Sequence, residues 1–147
     1  MNRRIFIAWL IVLQTWVGGI NPIRAADTAR ASKPEVRKDV IAVIEGQLEA
    51  FRAGDTKKAY GFAATALRAQ TARRQFELIV LNNYPEIWSN TRAEFGLVRD
   101  DGVRATLLVQ VFAKEANASY DYVLVKEREG WRIESVLRHA PKKAEKV

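Results

Sequence analysis

The chain has 147 residues, no cysteine and one histidine, with 24 Lys plus Arg against 17 Asp plus Glu. Its length fits one domain, and 48% hydrophobic residues argue against a disordered chain. Without cysteine, a disulfide framework, an iron–sulfur cluster, a thiol nucleophile and a Cys-based zinc site are excluded.

The formal charge of +7 raises nucleic-acid binding, but that charge sits at the ends. Residues 1–25 hold three Arg and no acid, residues 26–33 are net +1, and residues 140–147 hold three Lys and one Glu. The body, residues 34–139, holds 16 basic and 15 acidic residues. A nucleic-acid binder concentrates positive charge on its folded surface, so no nucleic-acid partner is expected. The three lysines of the tail are weak attraction for an anionic membrane.

Residues 1–25 read as a signal peptide: Arg3 and Arg4, the apolar run Ile5 to Ile20 ended by Gly18, Gly19, Asn21 and Pro22, and a cut after Ala25. Sixteen residues rise about 24 Å as a helix, short of the roughly 30 Å hydrocarbon core. The expected location is therefore periplasmic or secreted after cleavage. The alternative is an uncleaved N-terminal membrane anchor facing the periplasm. Asn2-Arg3-Arg4-Ile5-Phe6-Ile7 also resembles the twin-arginine motif, which leaves both export routes open. Residues 26–33 read as a polar linker, 34–139 as the folded domain and 140–147 as a basic tail.

Ser32-Lys33-Pro34-Glu35 predicts a capping box with Pro in the first turn. Val36, Val40, Val43, Ile44, Leu48 and Phe51 then follow three- and four-residue steps, the apolar stripe of a helix. Gly54 ends it and Asp55 caps a second helix carrying Ala59, Tyr60, Phe62 and Ala63. A third, capped by Thr71, runs to about Asn82 on Phe76, Ile79 and Val80, and Asn82-Asn83-Tyr84-Pro85 stops it. From Thr91 the period changes to two, predicting strands at about 92–99, 103–114, 119–127 and 131–138 joined by hairpins. In the second strand Val103, Ala105, Leu107, Val109, Val111 and Ala113 share a core face, opposite a mixed face with Leu108 and Phe112. Helices followed by a strand meander make an α+β domain.

Three blocks resemble a family of exported bacterial proteins, domain of unknown function 4864. The first is Val43-Ile44-Glu45-Gly46-Gln47-Leu48-Glu49-Ala50-Phe51-Arg52-Ala53-Gly54-Asp55 with Ala59-Tyr60-Gly61-Phe62-Ala63 after it. The second is Gln75-Phe76 with Tyr84-Pro85-Glu86-Ile87-Trp88, and the third is Gly130-Trp131-Arg132-Ile133 with Val136-Leu137. They span residues 36 to 139, and Gly54 stands where the family often has an acid. That family resembles the nuclear transport factor 2-like superfamily. The resemblance implies three N-terminal helices packed on a curved four-stranded antiparallel sheet, a cone with a cavity. The superfamily hosts isomerases, dehydratases, lipid carriers and interaction modules, so its fold does not fix function.

No catalytic constellation stands out, and no metal site or cofactor is expected. His139 lacks an orienting neighbour in sequence, because Arg138, Lys142 and Lys143 only add positive charge. Enolising enzymes of the superfamily pair a Tyr with an acid, but Asp121 alternates with Tyr120 and Tyr122 along one strand and faces the other way. Glu94 and Glu134 read as solvated. There is no Gly-rich phosphate loop, nucleophile elbow or zinc-helix motif. The aromatics Phe62, Phe76, Tyr84, Trp88, Phe112 and Trp131 either close the core or line an apolar pocket, the usual form of a small-ligand site. The expected function is a non-catalytic binding module for a small apolar or lipid-like ligand or a protein partner. The alternative is a cavity enzyme of isomerase or dehydratase type using Tyr plus a carboxylate. Leu108 and Phe112 offer a patch for a homodimer.

Overall fold

The computed structural model describes residues 29–140. The expected leader and nearly all of the basic tail lie outside the described residues. Among the described residues there are five helices: α1 (Pro34–Arg52), α2 (Thr56–Gly61), α3 (Thr65–Gln70), α4 (Arg73–Asn83) and α5 (Pro85–Trp88). Six strands join them: β1 (Arg30–Ala31), β2 (Asn90–Phe95), β3 (Arg99–Asp100), β4 (Arg104–Ala113), β5 (Asn117–Glu127) and β6 (Gly130–Arg138). The class is α+β with an open antiparallel sheet, and the expected count of three helices on four strands is corrected to five on six.

Each difference has a local cause. The expected strand over 92–99 breaks at Gly96, whose N–H donates to Leu108 O at 2.8 Å. A Cβ there would stand 2.9 Å from that same backbone oxygen, so glycine alone fits the approach. β2 and β3 therefore pair with successive parts of one edge of β4, and β1 from the expected linker pairs with β3. The capping box does not form: Lys33 is the N-cap, and the Ser32 hydroxyl donates instead to Asp100. Thr71 caps no helix start but ends α3, and Ala72 precedes α4. Pro85 stops α4 and opens the short α5, where its missing N–H is harmless.

Other signals act as read. Gly54 takes φ +70°, with Gly54 N–H on Phe51 O at 3.0 Å and Asp55 N–H on Ala50 O at 2.8 Å, a Schellman end to α1. The Asp55 carboxylate then accepts from Lys58 N–H at 2.9 Å and starts α2.

Along β4, Ala105, Leu107, Val109 and Val111 are buried while the residues between them are exposed or half-buried. They join Tyr120, Tyr122 and Leu124 of β5 and Trp131 and Ile133 of β6 against Val40, Ile44, Leu48 and Phe51 of α1. α1 crosses this face, touching both β2 and β6. A shift of register between Val123 and Leu124 lets β6 present Ile133 and, beyond the irregularity, Val136 to the same side.

Candidate functional site

An apolar cavity of about 620 Å³ lies between the helices and β6. α1 contributes Gln47 and Phe51, and α3 contributes Ala66, Leu67 and Gln70. Phe76, Ile79 and Val80 of α4 form another wall, with Tyr84 and Ile87 at the following corner. Residues 133–137 of β6 complete the lining, and Leu137 there is 58% exposed.

Each wall is fastened by side chains or backbone. Ile133 N–H donates to Phe62 O at 2.9 Å and Ala64 N–H donates to Ile133 O at 2.8 Å, which ties the α2–α3 connection to β6. The Glu127 carboxylate accepts from the Thr65 hydroxyl at 2.9 Å and from Thr65 N–H, anchoring the start of α3. Those bonds hold the Glu127 carboxyl below the ordinary range. The Tyr60 hydroxyl donates at 2.7 Å to Thr71 O, closing the far end of α3. At the corner, the Tyr84 hydroxyl donates to Val136 O at 2.9 Å, so the helix-to-sheet turn is pinned to β6. Burial pushes the Tyr84 phenol up, keeping it protonated.

Two of the six aromatics expected at a pocket, Phe76 and Tyr84, line this cavity. Trp88 packs on Phe51 with ring centroids 5.8 Å apart and borders a second cleft of about 610 Å³ near the β4–β5 hairpin. The other three stand elsewhere. The Phe62 ring lies over Gly46, where a Cβ would meet its Cζ at 2.6 Å. Phe112 falls on the opposite side of β4 from Val111, under the Arg92 guanidinium at 3.7 Å. Trp131 is 3% exposed in the core, two residues ahead of the stretch that borders the cavity.

Gln47 is the polar group that the pattern of apolar residues hides. It is 4% exposed, and its Nε2 donates to Ala59 O at 3.1 Å. Its position three residues after Ile44 and four before Phe51 was the available signal, since that spacing puts it on the buried stripe.

A tyrosine–acid pair does form, with an acid that the sequence reading did not single out. Tyr120 OH donates to Glu86 Oε2 at 2.6 Å, and Arg138 Nη2 donates to the same oxygen at 2.5 Å. Burial opposes ionisation of Glu86, but the bonds from Arg138 and Tyr120 outweigh it and lower its pKa. Burial first, and then the Glu86 carboxylate, push the Tyr120 phenol well up. Glu86 is therefore an anion and Tyr120 a neutral donor at neutral pH. Glu86 borders the second cleft, and neither residue lines the apolar cavity. Alternation on β5 sends Asp121 to the other face, where its carboxylate meets His139 Nδ1 at 2.8 Å. His139 thus has the orienting partner that its sequence neighbours do not supply.

Among the described residues, no group of three or more His, Asp and Glu side chains could hold a metal ion. No helix among them is long and apolar enough to cross a membrane.

The fold and site define a small α+β domain with an apolar, helix-walled cavity beside an edge strand. The chain belongs to the domain of unknown function 4864 family, whose model matches residues 33–146. No curated protein and no solved structure matches it.

Proposed function

We propose that the protein is a non-catalytic binding module that holds a small apolar or lipid-like molecule in the cavity walled by α1, α3, α4 and β6. The observation that carries this reading is a volume of about 620 Å³ lined mainly by apolar side chains, with Gln47 as a buried polar group in the wall. Helices preceding a strand meander, together with the family resemblance, support a nuclear transport factor 2-like cone. The basic start and the apolar run from Ile5 to Ile20 support export, signal-peptide cleavage and work in the periplasm.

The Tyr120–Glu86 pair is what favours the enzyme alternative. Its weight is small, because Arg138 and Tyr120 both hold Glu86 Oε2 and neither Glu86 nor Tyr120 stands in the apolar lining. A general base needs a free lone pair facing the substrate. For a homodimer through the outer face of the sheet, Leu108 (40% exposed) and Leu137 (58% exposed) flank Asp121, while Phe112 is covered by Arg92.

A thermal-shift screen against an apolar extract of the cell envelope tests the binding reading. Stabilisation by the extract, reproduced by a purified component, is the expected outcome. A melting temperature indifferent to every apolar fraction contradicts it.

A further inference from the structure

We propose that the cavity selects an electrically neutral amphiphile, an alkyl or acyl chain ending in a hydroxyl or amide, and rejects the corresponding carboxylate. This rests on the binding reading above and assigns the ligand's charge class. Among the described residues, the cavity lining contains no lysine or arginine. Its acidic member, Glu134, is held by Arg104 through bonds of 2.9 and 3.1 Å, so that guanidinium is already neutralised. Arg138, beside the Tyr84 corner through the Tyr120 ring, is likewise committed to Glu86. The Tyr84 hydroxyl gives its proton to Val136 O. An anionic head group would leave water for an apolar site with no free counter-charge and with a carboxylate at its wall, which is strongly unfavourable.

Gln47 supplies what a neutral head group needs. A primary amide offers two donors and a carbonyl acceptor. One donor is used on Ala59 O, and among the described residues the carbonyl oxygen of Gln47 accepts no hydrogen bond. A hydroxyl or amide head group can donate to that oxygen and also accept the second Nε2 proton, whereas a carboxylate can only accept and leaves the oxygen unpaired.

Displacement of the neutral fluorophore N-phenyl-1-naphthylamine from envelope-purified protein at pH 8, by dodecanol and by dodecanoate, tests the inference. Dodecanol should compete at least about tenfold more strongly. The Gln70→Lys variant places a cation at an exposed position of the wall. It should strengthen dodecanoate several-fold relative to dodecanol. Dodecanoate equal to or stronger than dodecanol in the wild type overturns the charge selection and leaves the binding reading intact. A Gln70→Lys variant that gains nothing for dodecanoate also overturns it. Failure of both the fluorophore and dodecanol to bind removes the binding reading, and this inference with it.

Discussion

Glu86 keeps its charge in the core because Arg138 and Tyr120 replace the water that its carboxylate loses. Its folded pKa lies below the ordinary value of 4.5, so the native state favours the ionised form. The resulting stability is fully present above that value and is lost as pH falls through the lower folded one. Acid unfolding of the wild type should therefore steepen below about pH 4.5, and Glu86→Gln should flatten that part of the curve. At pH 7 the same variant should cost about 1–3 kcal/mol in urea unfolding, at the low end because Arg138 is half-exposed and screened. An unchanged acid limb in the variant would contradict this assignment. Asn90 makes a comparable junction. Its amide donates to Leu48 O at 3.0 Å and Ile87 O at 2.8 Å, and its oxygen accepts from Arg52 Nη1 at 2.6 Å. Asn90→Ala removes three hydrogen bonds at a buried junction and should cost about 2–4 kcal/mol in the same assay. Residues such as these were not legible in the sequence. Nothing in the spacing of Glu86, Tyr120 and Arg138 brings them together, since their contact depends on the corner at Pro85 and the register shift in β5–β6. Phe76 and Tyr84 were legible, because each belongs to a turn or stripe whose local chemistry fixes its direction.

Element boundaries were read best where a single residue type enforces them. Gly54 and Asp55 end one helix and start the next through hydrogen bonds that the backbone and one carboxylate complete locally. Elements that depend on distant partners were missed. α3 has six residues and no buried side chain, so it has no stripe to betray it; Glu127 and Tyr60 hold it in place instead. The strand expected over 92–99 was continuous by alternation, and only the approach of Leu108 O to Gly96 divides it. Gly96→Ala should therefore push β2 and β3 off β4 and destabilise the domain by about 1–3 kcal/mol. Hydrogen exchange should show the loss first at the edge formed by β2 and β3. Protection unchanged at that edge would show that the close approach is unimportant.

For the whole molecule, the α+β class and the family were accessible from periodicity and three sequence blocks. The cavity was accessible only as a pool of six aromatics, of which four do not line it. A void is a property of how elements fail to close on one another, and no local pattern encodes it. Here it exists because the Phe62–Ala64 connection, α3 and the Tyr84 corner are each tied to the sheet, leaving Ala63 and Ala66 where larger side chains would fill the gap. Ala66 is exposed and lines the cavity, so Ala66→Trp should occupy that space with little loss of stability. Native mass spectrometry of both proteins purified from the cells that make them compares the open and filled cavities directly. The wild type should carry an additional apolar, uncharged mass that the folded Ala66→Trp variant lacks. A wild type that appears at the bare mass of its chain, or a variant that carries the same adduct, would contradict the binding role of this cavity.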